Sequence, residues 1–303
     1  MKIRRIRTIA EYLSLRNLPK AEHPLICLID YSQVQFPEGI DSINLVFDFY
    51  SVAMKRHIGY KIHYGHTTYD FDEGLMSFIA PGQVMRIERS QFNKNKRSGY
   101  ILVFHPDFLW KYSLAKTIKQ YEYFGYETNE ALFLSQKEEN TITQIFENIK
   151  QEYHGNMDKF SHDLIISQLE LLLKYADRFY NRQFLTRRIP SNQLLVKVED
   201  FLNQHFIDEN LMEQGIPTVQ QVAEAVFVSP NYLSTMLKGL IGKNTQTLIH
   251  EKLIEKAKEK LSTSNLSVSE IAYQLGFEHS QSFSKLFKNK SGVSPLEFRA
   301  GFN

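Results

Sequence analysis

The apolar positions of this chain change their period along its length. Between residues 20 and 110 they come in short runs, Leu25–Ile29, Ile43–Tyr50 and Ile101–Phe104, broken by Pro and Gly clusters. Ile58, Tyr60, Ile62 and Tyr64 alternate with mostly polar neighbours, the period of a half-buried strand. Asp72-Glu73-Gly74, ahead of Leu75–Ile79, and Pro81-Gly82 read as turns. Short strands with turns at this spacing predict a sandwich or small barrel.

From about 111 to 188 the period becomes helical. Ile142, Ile145, Phe146, Ile149 and Tyr153 fall on one helical face. The strongest pattern is Ser161–Tyr180, with one stripe of Ile165, Leu169, Leu172, Leu173, Ala176, Phe179 and Tyr180. A shorter stripe is Leu164, Leu171 and Tyr175. Two apolar faces predict burial on two sides. The second packs either in the domain's own core or against another subunit.

Thr186-Arg187-Arg188-Ile189-Pro190-Ser191-Asn192 combines a basic pair, a proline and small polar residues. It predicts a linker at 189–195 between a first domain, 1–188, and a second, 196–303. The remainder predicts helix in seven segments, about 193–207, 218–226, 229–241, 245–262, 267–275, 280–290 and 294–300.

This second part contains a repeat. Thr218-Val219-Gln220-Gln221-Val222-Ala223 aligns with Ser267-Val268-Ser269-Glu270-Ile271-Ala272, at an offset of 49 residues. Leu233, Leu237, Lys238 and Gly242 align with Phe283, Phe287, Lys288 and Gly292 at an offset of 50, so one residue is inserted in the turn. Thr218 with Gln221, and Ser267 with Glu270, have capping-box spacing, which starts a helix by satisfying its free N–H groups. Ala223 and Ala272 are small where two short helices must cross. Ser229-Pro230 offers an N-cap and an N1 proline. Gly276 supplies a left-handed turn in the second copy, and Phe227 takes that place in the first, so the two turns are expected to differ slightly.

Each copy therefore reads as a helix-turn-helix whose second helix enters a DNA major groove. Its apolar side is Leu233, Met236 and Leu237, then Phe283, Leu286 and Phe287. Its polar side carries Asn231, Ser234, Thr235 and Lys238, then Ser280, Gln281, Ser282, Ser284, Lys285 and Lys288. Asn and Gln can pair bidentately with adenine, Lys can reach guanine, and Ser or Thr can bond either. Any surface helix has a polar face; two tandem copies with capping boxes argue for the groove. The joining helix spans ~27 Å at ~1.5 Å per residue. That sets the two reading helices near successive major-groove segments, with some DNA bending or helix tilt.

Charge sharpens this picture. The whole chain of 303 residues is nearly balanced, with 36 Lys and Arg against 34 Asp and Glu. From residue 190 onward there are 11 basic and 12 acidic residues, so bulk charge does not drive binding. The local cations are Lys238 and Lys243, then Lys285, Lys288 and Lys290. The composition, 43% hydrophobic and 23% charged, excludes a disordered chain or a disulfide-stapled miniprotein. The single Cys27 fits a reducing cytoplasm. No signal or membrane-spanning pattern is visible, so a cytoplasmic location without membrane contact is expected.

Ser267-Val268-Ser269-Glu270-Ile271-Ala272 through Gly276-Phe277, then Ser282-Phe283-Ser284, Phe287-Lys288, Gly292-Val293-Ser294-Pro295 and Phe298-Arg299, resembles the signature of the AraC/XylS regulators. The resemblance covers residues 196–303. It implies Asn231, Ser234, Thr235, Gln281, Ser282 and Lys285 as base-reading positions and Lys238 and Lys288 as phosphate contacts. Ser234 and Thr235 are small where this family often carries larger polar residues. The segments Ser77-Phe78-Ile79-Ala80-Pro81-Gly82-Gln83 and Gly99-Tyr100-Ile101-Leu102-Val103-Phe104-His105-Pro106 resemble the cupin-like sensory barrel of such regulators. The implied fold is α+β with two domains. A cupin-like barrel with appended helices (β about 20–110, helical about 111–188) precedes an all-α domain of two helix-turn-helix units joined by a long helix.

The implied function is a sequence-specific transcription regulator of double-stranded DNA, an activator and a homodimer, with RNA polymerase as partner. A small-molecule effector would sit in the barrel, where Phe47, Phe49, Tyr50, Tyr60, Tyr64, Tyr69 and Phe71 either line a pocket or fill the core. Alternatives are a constitutive or partner-regulated DNA binder, an architectural binder, or a cupin metalloenzyme fused to a DNA-binding domain. For the last, the candidate ligands are His57, His63, His66 and His105; His63 and His66 face opposite sides of a regular strand, unless Gly65 allows a bulge. No metal, cofactor or catalytic residue is assigned.

Overall fold

The computed structural model describes residues 3–35, 42–56, 62–64, 67–69, 74–88, 97–126, 130–155, 160–186, 188–207, 211 and 214–301. The chain divides into two units, Met1–Gln183 and Phe184–Asn303.

The first unit is rich in β structure. β1 (Ile3–Ile6) runs parallel to β3 (Ser42–Phe47), which pairs antiparallel with β8 (Val84–Glu88). α1 (Ile9–Leu15) starts at Thr8, whose side chain accepts the Glu11 N–H. The larger sheet is antiparallel, in the order β10 (Leu132–Phe133), β7 (Leu75–Ile79), β4 (Tyr50–Arg56), β9 (Ser98–Phe104) and β2 (Ile26–Asp30). β5 (Ile62–Tyr64) and β6 (Thr67–Tyr69) form a separate pair.

The apolar run Ile43–Tyr50 is two strands, not one. β3 ends at Phe47; beyond it, the Asp48 N–H donates to the Ile6 carbonyl at 3.1 Å and its carboxylate pairs with Arg5 at 2.9 Å. Of the seven aromatics considered for a pocket, Phe47, Phe49 and Tyr50 are buried core residues. Phe47 stacks on Phe49 with ring centroids 4.8 Å apart, and Tyr50 stacks on Phe104 at 5.2 Å. The placement of Tyr60 and Phe71, and the side chains of Tyr64 and Tyr69, lie outside the described residues, as do His57, Gly65 and His66.

Helices cover one face of the larger sheet. α2 (Leu114–Thr117) and short 3-10 turns lead to α3 (Gln136–His154), started by a Ser135–Glu138 capping box. Phe146 of α3 stacks on Tyr100 at 5.4 Å, and Glu139 pairs with Arg56. α4 (Ser161–Thr186) buries Ile165, Leu169, Leu172, Leu173, Ala176, Phe179 and Tyr180, the predicted main stripe. Within it, Gln183 accepts the Phe133 N–H at 2.8 Å and Arg182 reaches Glu138 at 2.6 Å, fixing β10. Leu164 and Leu171 are 48% and 42% exposed, so the second stripe is not core.

The segment expected as a linker, 189–195, lies in α5 (Arg188–His205). Pro190 does not prevent this, because it falls in the first helical turn, where the N–H groups have no intrahelical partner. The second unit continues with α6 (Val219–Ala225), α7 (Pro230–Ile241), α8 (Thr245–Thr263), α9 (Val268–Gln274), α10 (Ser280–Ser291) and α11 (Pro295–Ala300).

Candidate nucleic-acid interface

Each short helix that opens a unit is started by its own side chains. Thr218 Oγ1 accepts the Gln221 N–H at 3.2 Å while Gln221 Oε1 accepts the Thr218 N–H at 2.8 Å. Ser267 and Glu270 repeat this at 3.2 and 2.7 Å. The Ser267 hydrogen bonds hold the Glu270 carboxyl below its ordinary range, since they favour its charged form. A third box, Ser294 with Glu297, starts α11 at 3.2 and 2.7 Å. The Ser294-x-x-Glu297 spacing in the sequence announces it, outside the two repeat copies.

The turns after α6 and α9 open alike. Phe227 and Gly276 both have left-handed φ, 60° and 80°. The next N–H donates five residues back in each case, Val228 to Ala223 at 3.1 Å and Phe277 to Ala272 at 3.0 Å. This closed turn sets the crossing of the paired helices, and the backbone bonds dominate over residue identity. The copies differ one step later: α7 is capped by Ser229 and α10 follows His279, so the extra residue is Glu278.

The second helices of the two units are both 12 residues long and both end at a left-handed glycine, Gly242 and Gly292. α7 buries Tyr232, Leu233, Met236 and Leu237. α10 buries Phe283 and Phe287, with Leu286 only half-buried. The second unit's core is aromatic, with ring centroids 5.4 Å apart for Phe277 and Phe283 and 5.6 Å for Phe287 and Phe298. α8 joins the units with 19 residues, ~28 Å at ~1.5 Å each. Its buried line of Ile249, Leu253, Ile254, Ala257 and Leu261 makes it a shared wall.

The candidate reading residues separate into two groups. Asn231, Gln281, Ser282 and Lys285 are exposed, as are Lys238 and Lys288. Ser234 and Thr235 are half-buried and engaged by the protein itself. Ser234 Oγ lies 3.0 Å from the hydroxyl of buried Thr245, and Thr235 Oγ1 donates to the Asn231 carbonyl at 2.9 Å.

Charge is unequally shared. Lys243 is tied to Glu251 at 2.8 Å, and Lys252 and Lys256 of α8 pair with Glu255 and Glu259, each at 3.1 Å. Among the described residues Lys285, Lys288 and Lys290 have no ion pair, so the positive face belongs to α10. His250 lies within reach of the Lys290 charge: burial, and then that charge, push its pKa below the ordinary value. In the first unit His105 caps a 3-10 turn, accepting the Asp107 N–H at 3.2 Å. Among the described residues no group of three His, Cys, Asp or Glu could hold a metal ion.

The family described as "Helix-turn-helix domain" matches residues 222–301. The Arabinose operon regulatory protein of Escherichia coli K12 is 28% identical over 143 residues, 47% of this chain and 46% of that protein. Helices α6 to α11 are thus similar to a helix-turn-helix domain. The Raffinose operon transcriptional regulatory protein RafR of Pediococcus pentosaceus is 39% identical over 119 residues, 38% of this chain and 42% of that protein. A solved transcriptional regulator of Chromobacterium violaceum, titled with an AraC-type DNA-binding domain, is 22% identical, covering 36% of this chain and 92% of that one, with a TM-score of 0.32. These likenesses lie in part of the chain, which spans less than half the length of these two curated relatives.

Proposed function

We propose that this protein is a sequence-specific regulator of transcription that binds double-stranded DNA through both helix-turn-helix units. The observation that carries this reading is the matched pair α7 and α10. Each is anchored by a buried face, opened after a left-handed turn and directed outward with a polar surface. In this reading Asn231, Gln281, Ser282 and Lys285 read base edges, and Lys238 and Lys288 bind phosphate. Ser234 and Thr235 contribute less, because protein groups already occupy their hydroxyls. The domains are a sensory first domain with a cupin-like barrel and a DNA-binding second domain.

The protein acts as a dimeric activator that engages RNA polymerase and responds to a small effector in the first domain. The dimer is supported by exposed Phe160, Leu164 and Leu171, apolar side chains on or beside the start of α4. Among the described residues no helix is long and apolar enough to cross a membrane.

The test is selection of bound duplexes from a random pool by the full chain. A recurring motif with two half-elements about one helical turn apart supports the reading. Enrichment without any motif overturns it. A salt titration should give a slope well short of about ten phosphates per chain, as the balanced charge requires.

A further inference from the structure

The first unit holds a cavity of about 300 Å³ beside β2, the last strand in the order of the larger sheet. α1 and the segment after it contribute Leu13 and Leu18, and the end of α3 contributes Lys150 and Tyr153. The segment between α1 and β2 is held in place by two backbone donors. The Leu18 N–H donates to the Leu13 carbonyl at 2.9 Å, and the Glu22 N–H to the Tyr153 hydroxyl at 2.8 Å. An apolar cavity of about 150 Å³ is enough to bind benzene. This one therefore admits a small organic molecule.

Floor and rim differ in character. Leu13, Cys27, Leu28, Ile29 and Tyr153 are buried. The polar side chains among them are neutral, because burial pushes the Cys27 thiol and the Tyr153 phenol up from their ordinary values. The backbone adds a donor and an acceptor. The His105 N–H donates to the Leu25 carbonyl at 2.8 Å, in the register that pairs Cys27 with Val103 and Ile29 with Ile101. These alternate residues bond to β9, so Leu28 between them turns its N–H and C=O outward from the sheet edge. The rim carries charges of both signs, Lys20 and Lys150 with Glu22 and Asp30. Neighbours hold two of them: Glu22 pairs with His154 at 2.7 Å and Lys150 with Glu147 at 3.7 Å. A charged ligand would lose its hydration over the apolar floor, and a rim of mixed sign returns little of that cost. An uncharged ligand with an apolar body gains from burial there.

We propose that this edge cavity binds a small uncharged amphipathic molecule, an apolar body ending in a hydroxyl or an amide. The body rests on Leu13, Leu18 and Ile29, and the head meets the outward N–H and C=O of Leu28. A hydroxyl or a primary amide both donates and accepts, as that pair of groups requires. The site deepens the effector reading by giving it a place and a chemical class, and rests on it for any consequence at DNA. Binding itself is read without DNA, so the two fail separately.

The experiment is thermal unfolding of the full chain titrated with matched six-carbon probes: hexanol, hexanamide, hexanoate and hexylamine. Cys27, the single thiol of the chain, lines the cavity and reports its occupancy. Hexanol or hexanamide should raise the melting temperature saturably by about 3 °C and slow alkylation of Cys27 by iodoacetamide about fivefold. Hexanoate and hexylamine should do neither. Leu18→Trp fills the cavity from a half-buried position and should abolish both responses with circular dichroism unchanged. Should that variant fail to fold, Gln33→Trp, at an exposed lining position, carries the same comparison. The proposal is overturned if neither neutral probe binds, if the charged probes bind as well as the neutral ones, or if the filled variant responds as the parent does. Binding with no change at DNA keeps the site and removes the effector reading.

Discussion

The hydroxyls of Ser234 and Thr245 lie 3.0 Å apart, and Thr245 has no solvent exposure. A side chain on the polar face of α7 is thus spent on joining that helix to α8. Ser234→Ala should leave a buried hydroxyl unpartnered and cost about 1–3 kcal/mol of stability. It should change the preferred DNA sequence less than Asn231→Ala does. Chemical denaturation and competitive binding to single-base variants of the selected site measure the two effects.

The exposed residues of α10 should behave differently from one another. Gln281→Ala and Lys285→Ala should each relax preference at one base position, losing about 1–3 kcal/mol for the favoured base. Lys288→Ala should weaken binding to all sequences alike and reduce the salt slope by about 1. Fluorescence anisotropy over a salt series distinguishes these outcomes.

The two left-handed turn residues are not equivalent. A Cβ on Gly276 would lie 2.9 Å from Gly215 Cα and 3.0 Å from Ile216 N, on a φ of +80°. Gly276→Ala should therefore be severely destabilising, by about 2 kcal/mol or more. Phe227 is 83% exposed in the same conformation, and Phe227→Gly should stabilise by up to about 1 kcal/mol by relieving left-handed strain. Paired thermal melts test both.

Glu270 gives the stability of α9 a pH dependence. Its folded pKa is depressed below the ordinary 4.5. Its contribution is fully present above the unfolded value and is lost as pH falls through the folded one. Denaturation across the acid range should show a shallower loss for Glu270→Gln than for the parent. Ser267→Ala should cost about 1 kcal/mol at neutral pH through the lost cap.

The exposed stripe of α4 predicts assembly. A double change of Leu164→Glu and Leu171→Glu should leave circular dichroism unchanged, since both side chains are on the surface. It should convert a dimer to monomers in sedimentation velocity. A parent that is already monomeric would remove α4 as the contact.

The sequence alone determined whatever depends on neighbours a few residues away. The boundaries of α7, α8 and α10 follow from Ser229-Pro230, Asn244, Gly242 and Gly292, because caps and left-handed stops act within one helical turn. The two reading faces follow from helical period. Tertiary structure decided what depends on partners far along the chain. Asp48, inside an apolar run, is held by Arg5 and Ile6, and Ser234 bonds inward to Thr245. Lys55, Tyr31 and Arg97 meet only because β2, β4 and β9 are neighbours in one sheet. Strand pairing carries no local signal strong enough to name its partner, so a cluster assembled across strands appears only once the register is set.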